Sequence, residues 1–216
     1  MSAQGALPDG REDFGLIETL LWMREGGYIL RAGHGARMKA SAAALGFAFS
    51  EAAFDDALAQ ACAGAQAPQL RVRLILRRDG ALEIAAAPYQ PEPADKIWRV
   101  RVAQRRFDSR DPLLRHKTTR REIYESALAQ AQGADEVLFL NECDEICEGA
   151  RTNLFVEKDG ALLTPPLSSG LLPGVFRDDL LRQGKAQEKI LKLDDLREKF
   201  LLANSLRGFL RARLCD

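Results

Sequence analysis

Leu70, Val72, Leu74 and Leu76 are apolar, and Arg71 and Arg73 stand between them. Side chains of a strand alternate between faces, so this period of two describes a sheet buried on one side only. Asp79-Gly80 supplies the turn, and Leu82, Ile84 and Ala86 return in the same rhythm, which makes a hairpin. A second hairpin precedes it. Phe14 to Met23 reads as a buried strand, Glu25-Gly26-Gly27 as its turn, and Tyr28 to Arg31 as the partner strand. Between the hairpins lie two helices. Ala36 to Leu45 is Ala-rich without Gly or Pro, and Ser50 caps an amphipathic run through Ala53, Phe54, Ala57, Leu58 and Ala61.

Pro88, Pro91 and Pro93 end this first sheet, and Ile97 to Val102 is a further strand. Phe107 to Lys117 is polar and irregular and marks the domain boundary. The expected division is 1–108 and 109–216, with Met1 to Arg11 as a mobile lead-in. The second part begins with a helix over Thr119 to Gln132, stopped by Gly133. Strands follow at Glu136 to Leu140 and Asn153 to Val156, with a turn at Lys158-Asp159-Gly160 into Leu162 and Leu163. A Pro, Ser and Gly loop from Thr164 to Gly174 opens a helix over Val175 to Arg182. The tail reads as a strand near Ile190, a short helix from Asp194, and a strand pair at Phe200 to Ala203 and Phe209 to Leu214. Short strands joined by hairpins, without repeated βαβ units, give an α+β fold in two parts.

The 216 residues are 46% apolar, enough to bury a core. Thirty-one Lys and Arg balance thirty-one Asp and Glu, so no net field draws the chain to nucleic acid or to an anionic membrane. The expected partner is a small molecule. No apolar run has the length of a membrane span, and the start lacks the pattern of a signal peptide, so the expected address is the cytoplasm. Cys62, Cys143, Cys147 and Cys215 are too scattered for a disulfide framework and lack zinc-like spacing with His34 or His116; no metal is expected.

Three segments hold residues able to carry chemistry. His116-Lys117-Thr118-Thr119 places a lysine immediately before a helix. Glu148-Gly149-Ala150-Arg151-Thr152-Asn153 is a tight polar passage into an apolar strand. The loop ending at Gly174 leads into a helix whose first amides, at Val175 and Phe176, suit a phosphate. Singly, these are a solvated lysine, a turn carboxylate and an ordinary helix start.

In their order, with Thr152-Asn153-Leu154-Phe155 and Leu171-Leu172-Pro173-Gly174-Val175-Phe176-Arg177, they resemble the class IV aminotransferase family. Those are fold type IV enzymes that use pyridoxal 5'-phosphate. Asn204-Ser205-Leu206-Arg207-Gly208, Phe14 to Thr19 and His34 to Gly46 resemble its aminodeoxychorismate lyase branch, so the likeness covers nearly the whole chain.

The resemblance implies a two-domain fold of the D-amino-acid aminotransferase type: a small N-terminal α/β domain, a C-terminal pseudo-barrel α+β domain, and the cofactor in the cleft between them. It implies that Lys117 bonds the cofactor aldehyde and then moves protons, work that needs a neutral amine, which burial favours. Glu148 keeps the pyridine nitrogen protonated. Val175, Phe176, Arg37 and Asn204 or Ser205 hold the phosphate, since a guanidinium can grip two of its oxygens at once. Leu167 packs on the ring, Asn153 belongs to the cofactor set, and Thr19 passes a proton to the departing group.

The implied activity is conversion of 4-amino-4-deoxychorismate to 4-aminobenzoate and pyruvate. A branched-chain or D-amino-acid aminotransferase would use the same Lys117 and Glu148. An inactive relative acting as a binding subunit would have no use for Lys117, Glu148 and Arg37 together. Branched-chain enzymes place a tyrosine five residues after the lysine, where this chain has Glu122, and that favours the lyase branch. Arg99, Arg101, Arg120 and Arg207 are the candidates for gripping substrate carboxylate. The family also implies a homodimer.

Overall fold

The computed structural model describes residues 14–196 and 200–215; the lead-in expected over Met1 to Arg11 lies outside them. The chain opens with β1 (Leu16–Met23), which turns into the short β2 (Gly27–Tyr28). The expected second strand stops before Arg31 because Leu30 takes a left-handed φ of 52° and Arg31 already begins α1 (Arg31–Leu45). Ser50 caps α2 (Glu51–Cys62), its hydroxyl accepting from Ala53 N at 3.2 Å. The hairpin of β3 (Gln69–Leu76) and β4 (Leu82–Pro88) completes an antiparallel sheet of order β2-β1-β3-β4.

Both helices lie on one face of that sheet. Leu16, Leu20, Leu70, Val72, Leu74 and Leu76 are buried there against Met38, Phe54 and Leu58. Each such Leu or Phe contributes about 1.5–3 kcal/mol by burial. In register, Thr19 stands opposite Arg73 and Leu21 opposite Arg71, so these side chains share the other face.

The rest of the chain forms a mixed sheet. Its elements are β5 (Ile97–Phe107), α3 (Glu122–Gln130), β6 (Glu136–Asn141), β7 (Ile146–Gly149), β8 (Asn153–Lys158), β9 (Ala161–Thr164), α4 (Val175–Arg182), β10 (Gln187–Glu188), β11 (Phe200–Asn204) and β12 (Gly208–Leu214). The strand order is β10-β9-β8-β11-β12-β5-β6-β7. The sheet curls until β7 lies against β8, where Gly149 N donates to Thr152 O at 2.8 Å. Trp98, Val100, Leu138, Leu140, Leu154, Leu202 and Leu210 fill its interior.

Several expectations shift. β5 pairs in parallel with both β12 and β6, so Ile97–Phe107 belongs to the larger sheet. An irregularity between Val102 and Arg106 slips the register, which erases the alternation in the second half of β5. The helix expected from Thr119 starts at Glu122, because the backbone before it is paired to the strand region: Thr119 N donates to Gly15 O at 2.9 Å. The strand expected near Ile190 lies earlier, at Gln187–Glu188, and Ile190 is half exposed. Among the described residues, no helix is long and apolar enough to cross a membrane.

Candidate active site

A cavity of about 500 Å³ lies at the seam of the two sheets. Lys117 reaches it from a segment that adds to the edge of β1: Ile17 N donates to Lys117 O at 2.8 Å, and Leu16 bridges to Thr118. This pairing fixes the lysine backbone relative to the small sheet. Burial lowers the Lys117 ammonium to about 7, aided by the charges of Arg121 and Arg37 and opposed by Glu18 and Glu148. The lowering favours the uncharged, nucleophilic amine near neutrality.

Glu148, on β7, faces the same cavity and is 5% exposed. Its Oε1 accepts from the Tyr124 hydroxyl at 2.9 Å and its Oε2 from Leu172 N at 3.1 Å. Burial raises its carboxyl to about 7, against the pull of those hydrogen bonds and of Lys117 and Arg121. Arg121 stacks 4.8 Å from the Tyr124 ring centroid and donates to Ala150 O at 2.6 Å.

Arg37 enters from α1. Its Nε and Nη2 donate to the two oxygens of Glu18 at 2.8 and 2.6 Å, and its Nη1 donates to Pro173 O at 3.1 Å, just before α4. His34 Nδ1 lies 2.5 Å from Glu18 Oε2. Burial alone would raise the Glu18 carboxyl, but Arg37 and His34 beside it prevail and lower it to about 2. The bidentate edge of the guanidinium is therefore engaged inside the protein, where the sequence suggested that it would face a phosphate.

Asn153 and Gly174 are closely fitted: a Cβ on Gly174 would sit 1.8 Å from Asn153 Oδ1. Asn153 Nδ2 also donates to Leu172 O at 3.1 Å, so this side chain shapes the loop that leads into α4. Thr19, Asn153, Val175, Asn204 and Ser205 all line the cavity. Asn204, however, is largely engaged in its own turn. It donates to Arg151 O at 2.9 Å and accepts from Leu206 N and Arg207 N at 3.1 and 2.9 Å.

Leu167 and Phe176 are absent from the cavity wall. Leu167 lies in the 3-10 turn Leu167–Ser169 and packs with the cluster around Phe107 and Phe139; Leu172 and Leu206 supply apolar wall instead. The Phe176 ring turns away to an edge contact with Phe209 at 5.2 Å, although its amide remains in the first turn of α4. Of the arginine candidates, Arg120 and Arg207 line the cavity, while Arg99 and Arg101 on β5 do not.

The sequence reading missed Glu18, Tyr124, Arg71 and Arg73. A carboxylate inside the apolar run Leu16-Ile17-Glu18-Thr19-Leu20 was a usable signal. Arg71 and Arg73 line the cavity, though their alternation looked like a solvated face. Tyr124 carried no signal beyond its place on a helix.

Residues 15–215 match the family model of class IV amino-transferases, and the chain belongs to that family, whose enzymes depend on pyridoxal phosphate. A Schizosaccharomyces pombe protein provisionally named aminodeoxychorismate lyase is 31% identical over 206 residues, 91% of this chain and 87% of its own length. The crystal structure of a provisionally named amino-acid aminotransferase from Mesorhizobium loti superposes with a TM-score of 0.89 at 45% identity, covering 94% of this chain and 100% of that one. The Escherichia coli branched-chain-amino-acid aminotransferase is 38% identical over 73 residues, 32% of this chain and 24% of that protein. The donor set suits the cofactor: an aldehyde-reactive amine, a buried carboxylate able to hold a proton, and a guanidinium beside a helix start within one cavity.

Proposed function

We propose that the protein is an aminodeoxychorismate lyase, releasing pyruvate from 4-amino-4-deoxychorismate and leaving 4-aminobenzoate. The observation that carries this reading is the cavity face of the small sheet, where the Thr19 hydroxyl lies opposite Arg73 and two residues from Arg71 along β3. Among the described residues neither arginine has a carboxylate partner, so the face offers two cations to a substrate with two carboxylates. The near full-length likeness to the fission yeast protein also supports it.

In this reading the cofactor, when bound, would supply an electron-accepting ring to the substrate. Lys117 would hold the cofactor by its aldehyde, and its amine, when free, would take the proton from the nitrogen-bearing carbon of the substrate. Glu148 keeps a proton on the pyridine nitrogen. Arg37 and the amides of Val175 and Phe176 hold the phosphate. Thr19 passes a proton to the enolpyruvyl group as its ether bond to the ring breaks and regains the one that Lys117 took, so no net proton is gained or lost, and aromatisation drives the step. The working form is a homodimer in the cytoplasm acting on a small molecule, in keeping with the balanced charge.

One observation favours the aminotransferase alternative. Tyr124 brings a phenol into the cavity from the helix that carries Glu122, which removes the force of lacking a tyrosine at that position. Two assays separate the readings. Purified protein given aminodeoxychorismate should release pyruvate and 4-aminobenzoate in equal amounts. Glutamate formation from branched-chain or D-amino acids and 2-oxoglutarate, without pyruvate release from aminodeoxychorismate, would overturn the lyase. For the cofactor role of Lys117, borohydride reduction should fix pyridoxal phosphate to the peptide containing it, and the Lys117→Ala variant should take up none covalently.

A further inference from the structure

We propose that Glu18 is a positioning residue for the cofactor phosphate, holding the Arg37 guanidinium in place at the start of α4. The inference rests on the phosphate placement at Arg37 proposed above. Glu18 stands opposite Leu74 on the helix-covered face of the small sheet and is 1% exposed, at a position where its neighbours on the sheet are apolar. A carboxylate in such a place is costly unless paired, and an apolar side chain would join strand to helix without that cost. What the carboxylate adds is a fixed plane for a guanidinium.

The geometry has that form. Nε and Nη2 of Arg37 meet the two Glu18 oxygens at 2.8 and 2.6 Å, and Nη1 meets Pro173 O at 3.1 Å. Three of the five guanidinium hydrogens are engaged, which leaves two for a ligand in the cavity that Arg37 lines. His34, fully buried one helical turn before Arg37, fixes the same carboxylate through Nδ1 at 2.5 Å. The approach of α1 to α4 is close as well, since a Cβ on Gly33 would sit 2.6 Å from Val175 Cγ1. The arginine is thus held on two sides before any ligand arrives, and a donor held in advance loses less on binding than one that must be ordered.

The test compares binding of pyridoxal 5'-phosphate with binding of pyridoxal, which lacks the phosphate, to cofactor-stripped full-length protein. Glu18→Gln should raise the Kd for pyridoxal phosphate about tenfold or more, the scale of one charge-assisted hydrogen bond, and leave that for pyridoxal within about twofold. Glu18→Asp should give a smaller loss of the same selectivity, and it carries the test if the Gln variant does not fold. In an Arg37→Ala background, Glu18→Gln should cost nothing more. Equal weakening of both ligands, no weakening of either, or a full additional loss in the Arg37→Ala background would overturn the role of Glu18. If Arg37→Ala itself leaves pyridoxal phosphate binding unchanged, the phosphate placement fails and the proposal falls with it.

Discussion

The Tyr124 hydroxyl donates to Glu148 Oε1 across 2.9 Å, so a helix on one side of the cavity steadies a carboxylate on a strand at the other. The hydrogen bond pulls the Glu148 carboxyl down while burial raises it. Tyr124→Phe removes the pull, so Glu148 should titrate above about 7. The acid limb of the activity profile should move to higher pH, and stability should fall by about 1 kcal/mol, readable in the pH–rate curve and in a urea melt.

Lys117 and Glu148 make the stability of the cofactor-free protein depend on pH with opposite signs. Between 4.5 and about 7 the folded protein keeps a proton on Glu148 that the unfolded chain has released, so stability falls as pH rises. Between about 7 and 10.5 the unfolded chain keeps a proton on Lys117 that the folded protein has lost, so stability rises. The pair should place a minimum near pH 7 in thermal midpoints. Lys117→Met should abolish the rising limb and Glu148→Gln the falling one.

Gly33→Ala tests the contact between α1 and α4. Alanine favours a helix interior by up to about 1 kcal/mol, less within a first turn. The added methyl would stand 2.6 Å from Val175 Cγ1, and overpacking of this kind costs about 1–3 kcal/mol because a β-branched valine has few rotamers to retreat into. The clash should win. A melting point lowered by a few degrees, together with weaker cofactor binding, is expected; a raised melting point would show that the helices have room to spare.

Arg73→Gln removes one cation from the cavity face of β3. If it meets a substrate carboxylate, KM for aminodeoxychorismate should rise about tenfold while kcat and the absorbance of bound cofactor stay unchanged. A monocarboxylate amine tried in the same assay should be far less sensitive to the change. A fall in kcat at constant KM would instead assign Arg73 to the chemical step.

Much of the fold was open to reading because it follows local rules. The alternation from Leu70 to Leu76, the Ser50 cap and the turn at Asp79-Gly80 are written in neighbouring residues, and the helix over Val175–Arg182 has the bounds expected of it. What escaped depended on partners distant in sequence. The second half of β5 is a strand because β6 lies beside it, and its slipped register hides the pattern. The site divides in the same way. Lys117 and Glu148 sit in recognisable strings, whereas Glu18 acquires meaning only when α1 folds Arg37 and His34 onto it. Leu167 looked available because a loop leucine does not declare which side of its loop is filled.

The central place of β5 between β6 and β12 bears on how the chain is made. Its partner β12 spans Gly208–Leu214, more than a hundred residues further on, so one flank of β5 stays open until synthesis has passed Leu214. A nascent chain halted before Gly208 would have every cavity strand of the small sheet yet expose an unpaired strand edge, the kind of surface that invites pairing with other chains. Ribosome-stalled chains ending before Gly208 should remain open to protease within β5, and those extended beyond Leu214 should become resistant in a single step.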